Sequence, residues 1–317
     1  MRAVTITSFG SPDGLALAEI PEPTPGLDEV LVRVDVAGVS GFDTLVRSGA
    51  LAYPGVRTGH VPGIEVAGTV ESVGAHVNPA LLGRRVWAFT GVGGGYAEQV
   101  AVASSAVVPL EDDLSSMDAV AIGVSAPVAY FALEQAHLRS GDQVLIRGAS
   151  GSIGIAAVEL ARQAGCAVTV TTGSSARGQR LRELGASHVV DRNGEGRGPD
   201  GYDVVLDLVG GEDVQKFLER LSPNGRYVLA GAIAGWPDPG FGTHLLQAFQ
   251  KSLTFGTLSL DSINPERLDT VRTEMFQKVV RNTLTPAVEG VLSLAEAAEA
   301  HRRMDSGAVF GRIVLSI

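Results

Sequence analysis

The stretch "IRGASGSIGIAA", Ile146 to Ala157, places glycines at 148, 151 and 154 ahead of small and apolar residues. The preceding "QVLI" reads as a strand, and "IGIAAVELA" as a helix of small and apolar residues that closes at Gly165. A strand, a glycine turn and a helix begin a nucleotide-binding βαβ unit. The first N–H groups of a helix are unpaired and carry partial positive charge, so a diphosphate can sit there if no side chain blocks it. Gly151 provides that clearance, with Ser150, Ser152 and Ile153 beside it, and Gly154 lets the helix approach the sheet. The first glycine of the usual G-x-G-x-x-G is replaced by Ala149.

About twenty residues further on, many such folds carry an acid that holds the ribose hydroxyls. Here the next strand ends in Thr172, Gly173, Ser174 and Ser175, followed by Arg177 and Arg180. With no carboxylate to repel it, a 2′-phosphate meets hydroxyls and guanidinium groups. The expectation is NADPH, not NADH. The competing reading makes Arg177 and Arg180 the solvated face of a helix.

The elements around this site alternate. After residue 118 come a helical stretch, strands at 142–148, 167–172, 188–191, 202–211 and 225–235, and helices between them. That is the pattern of an α/β, doubly wound parallel sheet. Before residue 118 the chain is β-rich, with valines at period two in "EVLVRVDVAGVS" (29–40) and short strands at 65–74 and 84–89. A change of texture after 256 and a closing helix and strand suggest one domain inserted in another. The expected boundaries are 1–122, 123–256 and 257–317.

The 317 residues suit two domains, and an apolar content of 45% supplies a core. The net charge is −10, and Lys216, Lys251 and Lys278 are the only lysines. This argues against a nucleic-acid or anionic-membrane partner. The single cysteine, Cys166, excludes an intrachain disulfide and a four-cysteine zinc site, and suits a reducing cytoplasm. It is expected to be a small buried hydrophobe. The N-terminus has no secretory pattern, and the longest uncharged stretch, Ala119–Leu133, is short for a bilayer span.

Six segments in order resemble the zinc-independent quinone oxidoreductase branch of the medium-chain dehydrogenase/reductase superfamily. They are "VLVRVDVAGVSGFDTLVRSG", "VPGIEVAGTVESVG", "GGGYAEQV", "VLIRGASGSIG", "DLVGG" and "AEAHRRMDSGAVFGRIVL". The resemblance implies a GroES-like β-rich catalytic domain built from both chain ends, an inserted Rossmann domain, a cleft between them, and a homodimer formed through the nucleotide domain. Zinc-dependent relatives carry a cysteine where Ser40 stands and a histidine where Ile64 stands, so no metal is expected; His60 reads as a loop residue.

Hydride transfer to a quinone or an α,β-unsaturated carbonyl needs no metal, because the developing charge delocalises onto oxygen. By resemblance, Tyr53 is the candidate proton donor, displaced by about two positions from the tyrosine of enoyl-reducing relatives. Tyr96 reads as structural. Ser40 and Val128 stand where relatives place Asn and Thr near the nicotinamide. Val209, Ala232 and Ile233 correspond to strand ends lining the cofactor cleft, Arg312 to a late cationic contact, and Arg192 to an aromatic that covers the adenine side. Two alternatives stay open. One is an enoyl-thioester reductase of fatty-acid or polyketide synthesis, with Arg47, Arg57, Arg84 and Arg85 as a basic rim. The other is an NADPH-binding sensor or scaffold without turnover.

Overall fold

The valine-rich alternation near the N-terminus builds a half-buried sheet, and the continuous apolar runs after residue 140 build a sheet covered on both faces. The computed structural model describes all 317 residues, which pack as two units. The first comprises residues 1–124, 276–281 and 286–317; the second comprises 125–275 and 282–285.

The first unit opens with strands β1 (Arg2–Ile6), β2 (Leu15–Glu19) and β3 (Glu29–Val39) and helix α1 (Gly41–Ser48). Strands β4 (Glu65–Val73), β5 (Arg85–Phe89), β6 (Gln99–Ala103) and β7 (Val107–Pro109) and helix α2 (Ser116–Ile122) follow. Every second residue of β3 from Val30 to Val36 points into the core, the period-two pattern of its sequence.

The second unit alternates helix and strand: α3 (Ser125–Gln135), β8 (Gln143–Arg147), α4 (Ser152–Gln163), β9 (Ala167–Thr171), α5 (Ser175–Glu183) and β10 (His188–Val190). Then come β11 (Tyr202–Asp207), α6 (Val214–Glu219), β12 (Leu221–Leu229), α7 (Phe241–Gln247), β13 (Thr254–Thr257) and α8 (Pro265–Val280), which runs on into the first unit. The six strands are all parallel, in the order β10-β9-β8-β11-β12-β13. Numbered within the unit this is 3-2-1-4-5-6, the doubly wound dinucleotide-binding topology. Val144, Leu145 and Ile146 of β8 are all fully buried, as a central parallel strand requires.

The chain returns to the first unit with β14 (Val288–Ser293), α9 (Ala297–Asp305) and β15 (Arg312–Ser316). The first unit's main sheet runs β14-β15-β3-β4-β5-β7, with β6 also paired to β3. Strand β15 lies antiparallel to β3, so both chain ends build one sheet.

Three details differ from the sequence expectations. The second unit extends to Met275, not 256. Strand β13 adds to its sheet edge, and Arg267 on α8 pairs with Glu134 and covers the Phe131 ring, both on α3. Strand β12 stops at Leu229, so 230–235 is a loop. A Cβ on Gly231 would lie 2.6 Å from the Leu208 carbonyl oxygen, and the Ala234 N–H turns back to the Val209 carbonyl. Cys166 is half-buried, because it precedes β9; its thiol lies 3.2 Å from the Arg139 carbonyl, and burial pushes its pKa up. Residues 116–135 are long and apolar enough to cross a membrane by composition, but they form two helices, one in each unit, and 67% of the apolar window is buried inside the protein.

Candidate cofactor site

In a doubly wound sheet ligands bind beyond the carboxyl ends of the strands, where the strand order reverses. That switch point lies between β8 and β11. The glycine loop leaves β8, and the Val209–Gly211 turn leaves β11.

Gly148 adopts a left-handed φ of 77°, which turns the chain out of the strand. Gly151 is the N-cap of α4 and no side chain caps the helix. A Cβ at Gly151 would meet only the Gly148 carbonyl oxygen at 3.7 Å, whereas one at Gly154 would lie 2.5 Å from Ala149 Cα. Gly151 therefore keeps the helix N-terminus open, and Gly154 permits the helix to lie against the loop. Ser150, Ser152 and Ile153 are partly exposed around this opening. An uncapped helix end with an unobstructed glycine fits a diphosphate.

The adjacent strand end, after β9, gathers a second group. Ser174 caps α5: its Oγ accepts the Arg177 N–H at 3.3 Å, and its own N–H donates to Thr172 Oγ1 at 3.2 Å. Arg192 lies across Gly173, where a Cβ would be 2.9 Å from Nε. The Arg192 guanidinium occupies the space that a side chain at 173 would take. The structure thus brings Thr172, Gly173, Ser174, Arg177 and Arg192 together, with no acid among them.

Val209 adjoins the glycine loop, its Cγ2 3.1 Å from where a Gly148 Cβ would stand. Ala232 packs beside Gly210, and Ile233 is exposed in the same loop. Val128 is half-buried on α3.

The remaining expected residues belong to the first unit, and most of them have structural partners. Ser40 is the N-cap of α1: its Oγ donates to Asp43 Oδ2 at 2.7 Å and accepts the Asp43 N–H at 3.2 Å, a capping box. Arg312, expected as a cationic cofactor contact, is instead buried, with Nη2 2.5 Å from Glu65 Oε1 and Nη1 3.2 Å from the Val39 carbonyl. Trp87 Nε1 donates to the other Glu65 oxygen, so the glutamate draws Arg312 into the core of the β-rich unit. Tyr53 is exposed, its ring set edge-on to Phe42 at 5.7 Å. His60 is a half-buried loop residue; Nε2 is 3.3 Å from the Val92 carbonyl, and burial lowers its pKa. Arg47 is also buried and paired with Asp305, which removes it from any basic rim.

Two buried networks escaped the sequence reading. In the first unit, Asp43 accepts from the Gly63 N–H and from Tyr96 Oη, and Tyr96 Oη lies 3.2 Å from His301 Nε2. Burial raises the Asp43 and Tyr96 pKa values; burial and the nearby Arg47 charge lower that of His301 to about 3. In the second unit, Asp207 meets Arg147 and Tyr227 beneath the Val209 turn. An Arg ending an apolar strand and an Asp ending another were visible signals; Tyr227 carried none.

Residues 26–112 match the family model of the alcohol dehydrogenase GroES-like domain, and residues 184–315 that of the zinc-binding dehydrogenases. The chain is 34% identical, over 97% of its length, to a component of the phenolphthiocerol/phthiocerol polyketide synthase of Mycobacterium tuberculosis, and spans 14% of that protein. A mycobacterial protein solved in complex with NADPH matches over 100% of both chains, at 28% identity and a TM-score of 0.91. The quinone oxidoreductase of Mus musculus is 30% identical over 97% of this chain and 95% of its own length. Matched along nearly the whole of that relative, the chain belongs to the zinc-independent quinone oxidoreductase branch of the medium-chain dehydrogenase/reductase superfamily.

Proposed function

We propose that this chain is an NADPH-dependent, zinc-free oxidoreductase that transfers hydride to a quinone or an α,β-unsaturated carbonyl. The carrying observation is the acid-free cluster of Thr172, Gly173, Ser174, Arg177 and Arg192, one strand away from the open end of α4. The mycobacterial relative solved with NADPH supports the same reading. NADPH, when bound, supplies a hydride from its nicotinamide. The N-terminus of α4 and the hydroxyls of Ser150 and Ser152 hold the diphosphate. Ser174, Arg177 and Arg192 hold the 2′-phosphate with charge-assisted hydrogen bonds. Val209, Ala232, Ile233 and Val128 line the site and keep water from it. Tyr53 is the candidate donor of the proton that balances charge on the acceptor oxygen.

A second reading has one observation in its favour. The match to the mycobacterial polyketide synthase takes in 97% of this chain, which supports reduction of an enoyl thioester. Absorbance of NADPH, followed with a panel of quinones, enones and enoyl thioesters, separates the readings. Oxidation by quinones or simple enones supports the first, and oxidation by thioesters alone supports the second. Tight binding without oxidation supports a sensor or scaffold.

Homodimerisation belongs to the same proposal. Strand β13 is the free edge of the second unit's sheet, and Trp236, Leu246 and Phe249 are 72–79% exposed beyond β12. An open sheet edge, with exposed apolar side chains in the chain segment that precedes it, suits a second copy of the chain. A soluble, cytoplasmic enzyme fits this reading.

A further inference from the structure

We infer that Asp207, with Arg147 and Tyr227, is a positioning residue for the coenzyme: it sets the two turns that face the ligand. The inference rests on the NADPH reading above.

Arg147 and Asp207 end neighbouring strands and are register partners. Both are buried, Asp207 completely. Asp207 Oδ2 accepts from Arg147 Nη1 at 2.5 Å and from the Tyr227 hydroxyl, brought by β12. Its other oxygen, Oδ1, accepts the N–H groups of Val209 at 2.8 Å and Gly210 at 3.1 Å. The Arg147 guanidinium lies 4.0 Å from the Phe217 ring centroid and also donates to the Gly210 carbonyl at 3.3 Å. One carboxylate therefore ties the carboxyl ends of β8, β11 and β12 at the switch point.

A buried ion pair is weak evidence for stability, since apolar side chains of similar size often replace one without loss. What apolar side chains cannot supply is an acceptor for the two turn N–H groups. The rest of the turn is also satisfied inward: the Val209 carbonyl accepts from Ala234, and Gly211 exchanges bonds with Gly235 and Val214. The polar backbone of the turn is thus spent, and Val209 is what it presents outward. Because Val209 abuts Gly148, a shift of this turn moves the first residue of the glycine loop. Arg147 spends its charge on Asp207 and is not itself a phosphate ligand.

Two charge-neutral double variants test this. R147M/D207N keeps an oxygen acceptor for the turn; R147M/D207L does not. Both are titrated with NADPH and with NADH by fluorescence, with melting temperatures recorded. We expect the asparagine pair, which also loses the Arg147 bond to the Gly210 carbonyl, to bind both coenzymes about two- to fivefold more weakly than the unaltered protein. The leucine pair should bind both about tenfold or more weakly, the range set by two orphaned N–H groups. Equal affinity of the two pairs, or a loss confined to NADPH, overturns the inference. If the leucine pair does not fold, Y227F decides, because it keeps both charges and removes one donor. It should weaken both coenzymes by about two- to fivefold, and unchanged affinity overturns the inference. Absence of NADPH binding by the unaltered protein would instead sink the cofactor reading, and this inference with it.

Discussion

Arg192 stands over a glycine at the end of β9, and no carboxylate pairs with it. A guanidinium held there gains a charge-assisted bond only with the phosphorylated coenzyme. R192S should therefore weaken NADPH by roughly 10- to 100-fold, the range for one such bond, and leave NADH nearly unchanged. Fluorescence titration with both coenzymes reads the difference; parallel losses would remove Arg192 from the phosphate site. Tyr53 calls for a different measurement. If it donates the proton, Y53F should lower kcat by about 100-fold or more with the Kd for NADPH unchanged. A kcat near that of the unaltered enzyme returns Tyr53 to a packing role against Phe42.

Helix α4 makes its contribution through two glycines with opposite duties. At Gly154 a methyl group would strike Ala149 Cα and the Gly148 carbonyl, both backbone, which cannot swing aside. G154A should cost on the order of 1–3 kcal/mol, typical of overpacking, and a lowered melting temperature checks it. At Gly151 the same methyl group meets open space, so G151A should melt close to the unaltered protein. It should nonetheless bind NADPH more weakly, because the side chain stands where the diphosphate approaches. A lowered melting temperature in both variants, or tight binding in G151A, would contradict this division. Helix α1 differs from α4 in that Ser40 and Asp43 cap it, so its first N–H groups are already engaged.

At the level of the whole molecule, acid stability follows from His301. It is fully buried, faces Tyr96 on one side, with Asp43 behind it, and feels Arg47. Its folded pKa is about 3 against an ordinary value of 6.5. Between those values the unfolded chain binds a proton and the folded chain does not. Stability is thus fully present above pH 6.5 and falls as the pH drops toward 3, by about 1.4 kcal/mol per pH unit for one such group. Urea unfolding of the unaltered protein and H301Q across that window should show the steeper loss in the unaltered protein; parallel curves would assign the acid sensitivity elsewhere. Assembly is tested at the same scale. L246E/F249E places charges on the exposed apolar segment between β12 and β13 and should shift light scattering from dimer to monomer with the melting profile of the nucleotide unit retained. An unaltered protein that is already monomeric would end the dimer proposal.

Much of this architecture was written in local patterns. Strict alternation marks β3, unbroken apolar runs mark the parallel strands, and the glycine spacing marks the loop, because each depends on neighbours within a dozen residues. Ser40-x-x-Asp43 is an equally local pattern, but the sequence reading places Ser40 at the nicotinamide and not at a helix cap. What no local pattern contains is which distant groups share a buried charge. Glu65 claims Arg312 across 247 positions and keeps it from a ligand, and Asp207 gathers Arg147 and Tyr227 from strands 60 and 20 residues away. Burial forces such pairing, since a charge removed from water must find a partner, and the partner is chosen by the fold. The chain by itself therefore determined the coenzyme loop and the alternation of strand and helix, and the tertiary structure alone decided which arginines are spent inside and which face outward.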